Sequence, residues 1–277
     1  MILALIKLTR PYYSLPLSCG LIVITSYVAG GDFSAIGLKL IPAVVSLFLV
    51  ISAGYMLNDV CDRTVDAINS PERAIAKGTI TPKTALIHSV ILFAIGTLLA
   101  GYCGGRFFAV LVLVAFGLII YDLYSKKMGI FKNIMVAAFT VSLYPLSFAL
   151  AEPVVTPRLH SLYIFPVWLF LTSVGYEMLK DIHDVNGDKL FKDNRNYCES
   201  PIFLLTARII VMAAALLSIL PYFLGYCKAI YLGSSVLTIV LAFVSLKRPP
   251  VKAIPFVYAG VFIITVGSLA DLLVFGP

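Results

Sequence analysis

The chain has 277 residues, 60% of them hydrophobic and only 13% charged, with a net charge of +7. Soluble domains are roughly 45–50% apolar and about 25% charged, so a soluble fold of this size could not hide the apolar surface, and a polytopic all-α membrane protein is predicted. Five cysteines with no CxxC pair give no sign of a disulfide framework or zinc ribbon, three scattered histidines argue against a histidine-built metal site, and membrane topology accounts for the positive charge without invoking nucleic acid.

The apolar stretch before Arg10 is too short for a cleaved signal peptide and is expected to remain in the mature protein. Nine stretches of membrane length follow, at roughly 12–30, 36–57, 83–103, 106–124, 133–151, 161–180, 203–225, 228–246 and 254–275. Each must be helical, because backbone N–H and C=O groups find no water in lipid. About nine spans are therefore predicted, with eight or ten open because several stretches are short or contain Pro and Gly, in a single domain made of two related halves, roughly 1–130 and 131–277.

With nine spans, sixteen of the 21 basic residues fall on the N-terminal side of the bilayer. The excess of Lys and Arg on cytoplasmic loops then predicts a cytoplasmic N-terminus. Eleven of the fourteen acidic residues fall on the same face. The rule for basic residues does not explain them, whereas a cation-dependent site does.

The loop after the second span reads Tyr55-Met-Leu-Asn58-Asp59-Val-Cys-Asp62-Arg-Thr-Val-Asp66. The loop after the sixth reads Tyr176-Glu-Met-Leu-Lys180-Asp181-Ile-His-Asp184-Val-Asn-Gly-Asp188. Both place aspartates at i, i+3 and i+7, which on a helix aligns three carboxylates along one face. Such duplication is common in membrane bundles. Mutually repelling carboxylates are tolerable when a hard dication bridges them. Mg²⁺ takes oxygen ligands, keeps several waters and is typically shared between carboxylates and substrate phosphates. Two such stripes predict Mg²⁺ and a diphosphate between them. Arg73 and Lys77 after the first motif, Lys126, Lys127 and Lys132 in the next cytoplasmic loop, and Lys180 beside the second motif supply donors to the anion; for Lys132 a purely topological role is an equal alternative.

The segment Asn58-Asp59-x-x-Asp62-x-x-x-Asp66, with Ser70-Pro-Glu-Arg73 after it, resembles the first signature of UbiA-type prenyltransferases, and Lys180-Asp-Ile-His-Asp-Val-Asn-Gly-Asp188 their second. Arg10-Pro11 before the first span extends the resemblance along the whole chain. The resemblance implies a nine-helix bundle with a cavity open to lipid and a cytoplasmic active site. It also implies Mg²⁺-dependent transfer of a prenyl group, geranylgeranyl by preference, from a prenyl diphosphate to a lipid or aromatic acceptor. By position, Asn58, Asp59 and Asp62 would ligate metal and diphosphate with Asp66 supporting, and Asp181 and Asp184 would do so with Asp188 supporting. Arg73, Lys77, Lys126 and Lys180 would contact diphosphate or an anionic acceptor.

Within the family, the second motif is most similar to enzymes that prenylate geranylgeranylglyceryl phosphate, with homogentisate-type enzymes close. Tyr176 stands where the lipid enzymes usually carry Arg, and Ala74 and Ala76 where they tend to have Pro. Tyr55, Tyr121, Tyr124 and Tyr176, near cytoplasmic span ends, are candidates to face an allylic carbocation. A secondary transporter is the rival from another class. It would place its carboxylates at mid-membrane, whereas these lie at span ends. CDP-alcohol phosphotransferases also cluster aspartates, but their Asp-Gly and Ala-Arg pattern is missing here.

Overall fold

A computed structural model describes residues 2–188 and 198–277. The described residues form helices joined by short connections. They are α1 (Ile2–Leu8), α2 (Pro11–Val28), α3 (Phe33–Ile36), α4 (Leu40–Cys61), α5 (Arg63–Asn69), α6 (Pro82–Cys103), α7 (Gly105–Tyr124), α8 (Phe131–Val141) and α9 (Leu143–Leu150). There follow α10 (Pro157–Ser161), α11 (Phe165–Asp188), α12 (Pro201–Leu217), α13 (Leu220–Phe223), α14 (Ala229–Leu246) and α15 (Pro250–Phe275). Three helices begin at a Ser/Thr–Pro pair. Thr81, Thr156 and Ser200 each accept a hydrogen bond from a backbone N–H of the first turn, and the following proline needs no acceptor there.

Among the described residues, eight helical segments are long and apolar enough to cross a membrane, against the nine expected. The difference lies in the first predicted span. Residues 12–30 do contain a helix, α2, but its 18 residues include Pro16, three tyrosines and four Ser/Thr, which lower its apolarity. The predicted 133–151 span is also interrupted. Its segment, Phe131–Leu150, turns at Ser142 between α8 and α9. Pro145 cannot donate to the carbonyl four residues back, so the helix does not run through unbroken.

The chain divides into two compact units. The first includes Met1–Ile22 and Ile36–Gly129; the second includes Val23–Ala35, Ile130–Val185 and Arg195–Pro277. Apolar side chains gain little by leaving lipid for another helix, so close packing and polar contacts must join the helices. In the first unit, α4 meets α6 through Ser46 Oγ, which donates to the Gly96 carbonyl at 2.7 Å, and Ser89 Oγ, which donates to the Ala53 carbonyl at 2.8 Å. In the second, Thr238 Oγ1 donates to the Gly260 carbonyl at 3.2 Å across α14 and α15.

Glycine permits the tightest approach. A Cβ on Gly267 of α15 would stand 1.9 Å from Ser234 Oγ and 2.5 Å from its Cβ. Gly267→Ala is therefore expected to destabilise the protein by about 1–3 kcal/mol through overpacking. Thermal unfolding in detergent checks this, and an unchanged midpoint would show that the α14–α15 contact gives way freely.

The second unit also contains a fully buried ion pair. Arg158 of α10 and Asp271 of α15 are 2% and 0% exposed. Arg158 Nη1 donates to Asp271 Oδ2 at 2.7 Å, and its Nε donates to the Gly276 carbonyl at 2.6 Å. Asp271 also accepts from the backbone N–H groups of Lys228 and Tyr231, at 2.8 and 3.1 Å, where α14 begins.

Candidate active site

The first motif lies where α4 ends, and the structure corrects the single stripe expected of it. Asp59 is on α4, Asp66 is on α5, and Asp62 is the non-helical residue between them, with φ −94° and ψ 4°. The three carboxylates thus leave two helices and a joint.

Asp59, 3% exposed, is paired with Arg10. Arg73 Nη1 donates to Asp66 Oδ1 at 2.6 Å and lies 3.4 Å from Asp59 Oδ1. Lys126 Nζ sits 3.1 Å from Asp62 Oδ1 and donates to the Cys61 carbonyl at 2.7 Å. Asn58 Nδ2 donates to Asp122 Oδ1 at 3.2 Å.

Local packing explains why Arg73 arrives there. The segment between α5 and α6 inserts Ile75 and Ile80 into a core with Leu8, Met56 and Ala85. Gly78 takes a positive φ of 75° as the chain turns back. Arg10 is held more tightly still. Its φ of 45° is unusual for a residue with a Cβ and costs of order 1–3 kcal/mol. Pro11 bars it from the right-handed helical region, and its guanidinium lies over the Tyr55 ring, 4.9 Å from the centroid. Burial alone would lower the Arg10 pKa. The Asp59 carboxylate and Tyr55 outweigh it, so the pKa is raised and the charge kept. Burial also pushes Asp66 up to about 6, against the opposing pull of Arg73.

The second motif is carried by one helix. Asp181 and Asp184 lie on the unbroken 24-residue helix α11. Asp188 ends the same helix, and its side chain lies outside the described residues. Met178 and Leu179 seat this part of α11 on an apolar cluster with Phe203, Ala207, Val211 and Val257. Asp181 is 3% exposed and paired with Lys132. Lys180 Nζ stands 3.5 Å from Glu177 Oε2, and His183 Nδ1 stands 2.7 Å from Asp184 Oδ1.

Other predicted site residues are placed differently. Lys77 is exposed and Tyr124 is 51% exposed. Tyr176 packs against the apolar cluster under α11, and one face of Tyr55 is taken by Arg10.

Two residues at these sites were not among the predicted set, Asp122 and Glu177, and Lys132, weighed as topology or anion donor, is the partner of Asp181. Asp122 carries a signal that could have found it, since an acid inside an apolar span marks a functional position by default.

Among the described residues, no three Asp, Glu, His or Cys side chains converge into a cage for a metal. The donor set nevertheless suits Mg²⁺, which rarely uses an all-protein cage and is shared with waters and substrate phosphates. Two carboxylate oxygens, Asp122 Oδ2 and Asp181 Oδ2, are buried without a hydrogen-bond partner. Buried anionic oxygens are costly unless something positive meets them.

The profile of the UbiA prenyltransferase family matches residues 17–264. A digeranylgeranylglyceryl phosphate synthase of Natronomonas pharaonis is 31% identical over 82% of this chain and 80% of its own. One from Sulfurisphaera tokodaii is 29% identical over 89% of each chain. The fold is shared with a solved UbiA homologue from Archaeoglobus fulgidus bound to GPP and Mg²⁺, with a TM-score of 0.66 and 14% identity over 98% of this chain and 100% of that one.

Proposed function

Since this integral, multi-pass membrane protein belongs to the UbiA prenyltransferase family, we propose that it transfers a geranylgeranyl group from its diphosphate to geranylgeranylglyceryl phosphate, with Mg²⁺, at the cytoplasmic side of the membrane. The observation that carries the reading is the pair of buried carboxylate sites, each with an adjacent Lys or Arg. The names of the relatives and the GPP and Mg²⁺ bound by the Archaeoglobus fulgidus homologue support the choice of substrates and ion. The location of the basic residues supports the cytoplasmic side.

Asn58, Asp59, Asp62, Asp181 and Asp184 would hold Mg²⁺, with Asp66 and Asp188 supporting. When bound, the ion would neutralise charge developing on the departing diphosphate. The chain's own cations would bind the phosphate oxygens. Arg73 engages Asp59 and Asp66 through Nη1 alone, so its guanidinium keeps donors for an anion. Lys126, Lys132 and Lys180 would do the same as point charges, and Lys77 as an exposed one. The acceptor's hydroxyl would then attack C1 of the prenyl chain as the C1–O bond to diphosphate breaks, its proton leaving with the released diphosphate, while the prenyl tail would lie among apolar helices. A two-half organisation is also part of this reading, one motif to each half.

The test is product analysis. Purified protein in vesicles of known orientation, supplied with geranylgeranyl diphosphate and geranylgeranylglyceryl phosphate, should form the diprenyl lipid when substrates reach the cytoplasmic face. EDTA should abolish it, and added Mg²⁺ should restore it. Prenylation of homogentisate or hydroxybenzoate in place of the glyceryl phosphate would overturn the acceptor, and EDTA-resistant turnover would overturn the metal.

A further inference from the structure

We infer that Asp122 is a positioning residue for the proposed metal site, holding the Asn58 amide with its oxygen toward the cation. The inference rests on the Mg²⁺ reading above and adds a residue to it. Asp122 sits in the last turn of α7, 5% exposed, and its Oδ1 takes the hydrogen bond from Asn58 Nδ2 at 3.2 Å.

The chemistry of the two groups gives this contact a direction. An amide has a donor end and an acceptor end, and either can face a neighbour. A carboxylate only accepts. Beside an ionised Asp122, the NH₂ of Asn58 must face the carboxylate, which leaves Oδ1 at the opposite end of the amide group. Hard cations bind the amide oxygen and not the nitrogen. The orientation set by Asp122 therefore decides whether Asn58 can be a ligand at all.

A second observation points the same way. Asp122 Oδ2 is buried with no hydrogen-bond partner. A carboxylate with one oxygen committed and one unsatisfied lowers the energy of positive charge placed next to it. It is also a ready acceptor for water carried by a cation. Partners that orient metal ligands typically affect metal affinity by about 10–100-fold.

The test uses Mn²⁺ as the probe, titrated by electron paramagnetic resonance into the purified full chain in detergent. Metal-free thermal unfolding is recorded beside it. Asp122→Asn is expected to weaken Mn²⁺ binding by about 10–100-fold, with little change in metal-free unfolding. The exchange Asn58→Asp with Asp122→Asn restores one amide facing one carboxylate in the opposite sense. It should bring binding back to within about threefold of wild type, because the two positions act as a coupled pair.

Wild-type binding by Asp122→Asn would overturn the inference, as would a double exchange no better than Asp122→Asn. Asp62→Ala separates the two levels. If wild type binds Mn²⁺, Asp62→Ala does not, and Asp122→Asn binds normally, only the role of Asp122 falls. If wild type binds none, the metal site falls and the inference with it. Should Asp122→Asn fail to fold, the double exchange alone decides.

Discussion

Asp181→Ala and Asp59→Ala should each cut Mg²⁺-dependent consumption of prenyl diphosphate by at least about a hundredfold, roughly 2.7 kcal/mol in the barrier. Ionising an allylic diphosphate leaves an anion that must be met by positive charge already in place. Asp181 would hold part of that charge, being buried and keeping Oδ2 unpartnered while Oδ1 meets Lys132. Asp59 is shared between Arg10 and Arg73, so its loss would remove a proposed metal ligand and also release both guanidinium groups. Asp59→Asn keeps the volume while removing the charge, so it tests the loss of the anion apart from the loss of packing. Diphosphate release by purified, folded variants is the measurement. Wild-type turnover in either alanine variant would remove that residue from the site.

Arg158→Met should lower stability by about 3–5 kcal/mol, the usual cost of leaving one member of a buried ion pair alone. Asp271 would then be an anion at 0% exposure, kept only by the N–H groups of Lys228 and Tyr231. Arg158→Met with Asp271→Asn should recover part of the loss, since the amide oxygen still accepts from α14 without a charge to compensate. Unfolding midpoints in detergent distinguish the cases. A single variant as stable as wild type would mean that water or lipid headgroups reach Asp271.

The sequence pattern located the spans because bilayer thickness imposes one length on every crossing helix. It located both motifs because identical spacing recurs at two equivalent span ends. The same spacing could not show that α4 stops at Asp62, since the break accompanies pairings with residues that are distant in sequence. Asp62 meets Lys126, and Asp59 meets Arg10. Asp122 was passed over because it is a lone acid with no repeat, and its partner Asn58 lies 64 positions away. The Arg158–Asp271 pair was hidden for the same reason, at a separation of 113. The helix starts at Thr81, Thr156 and Ser200 were legible in principle, as a hydroxyl residue followed by proline.

The modest apolarity of α2 bears on the order of events at the ribosome. Two hydroxyl groups near its end find partners far downstream: Thr25 Oγ1 donates to Ser147 across 122 positions, and the Tyr27 hydroxyl donates to the Ser268 carbonyl across 241. At translation speeds of about 5–20 residues per second, the Tyr27 acceptor is made on the order of ten to fifty seconds after α2. The first long helix therefore emerges well before the groups that complete it. Its final seat belongs to the last stage of biogenesis, although it is among the first segments to be synthesised.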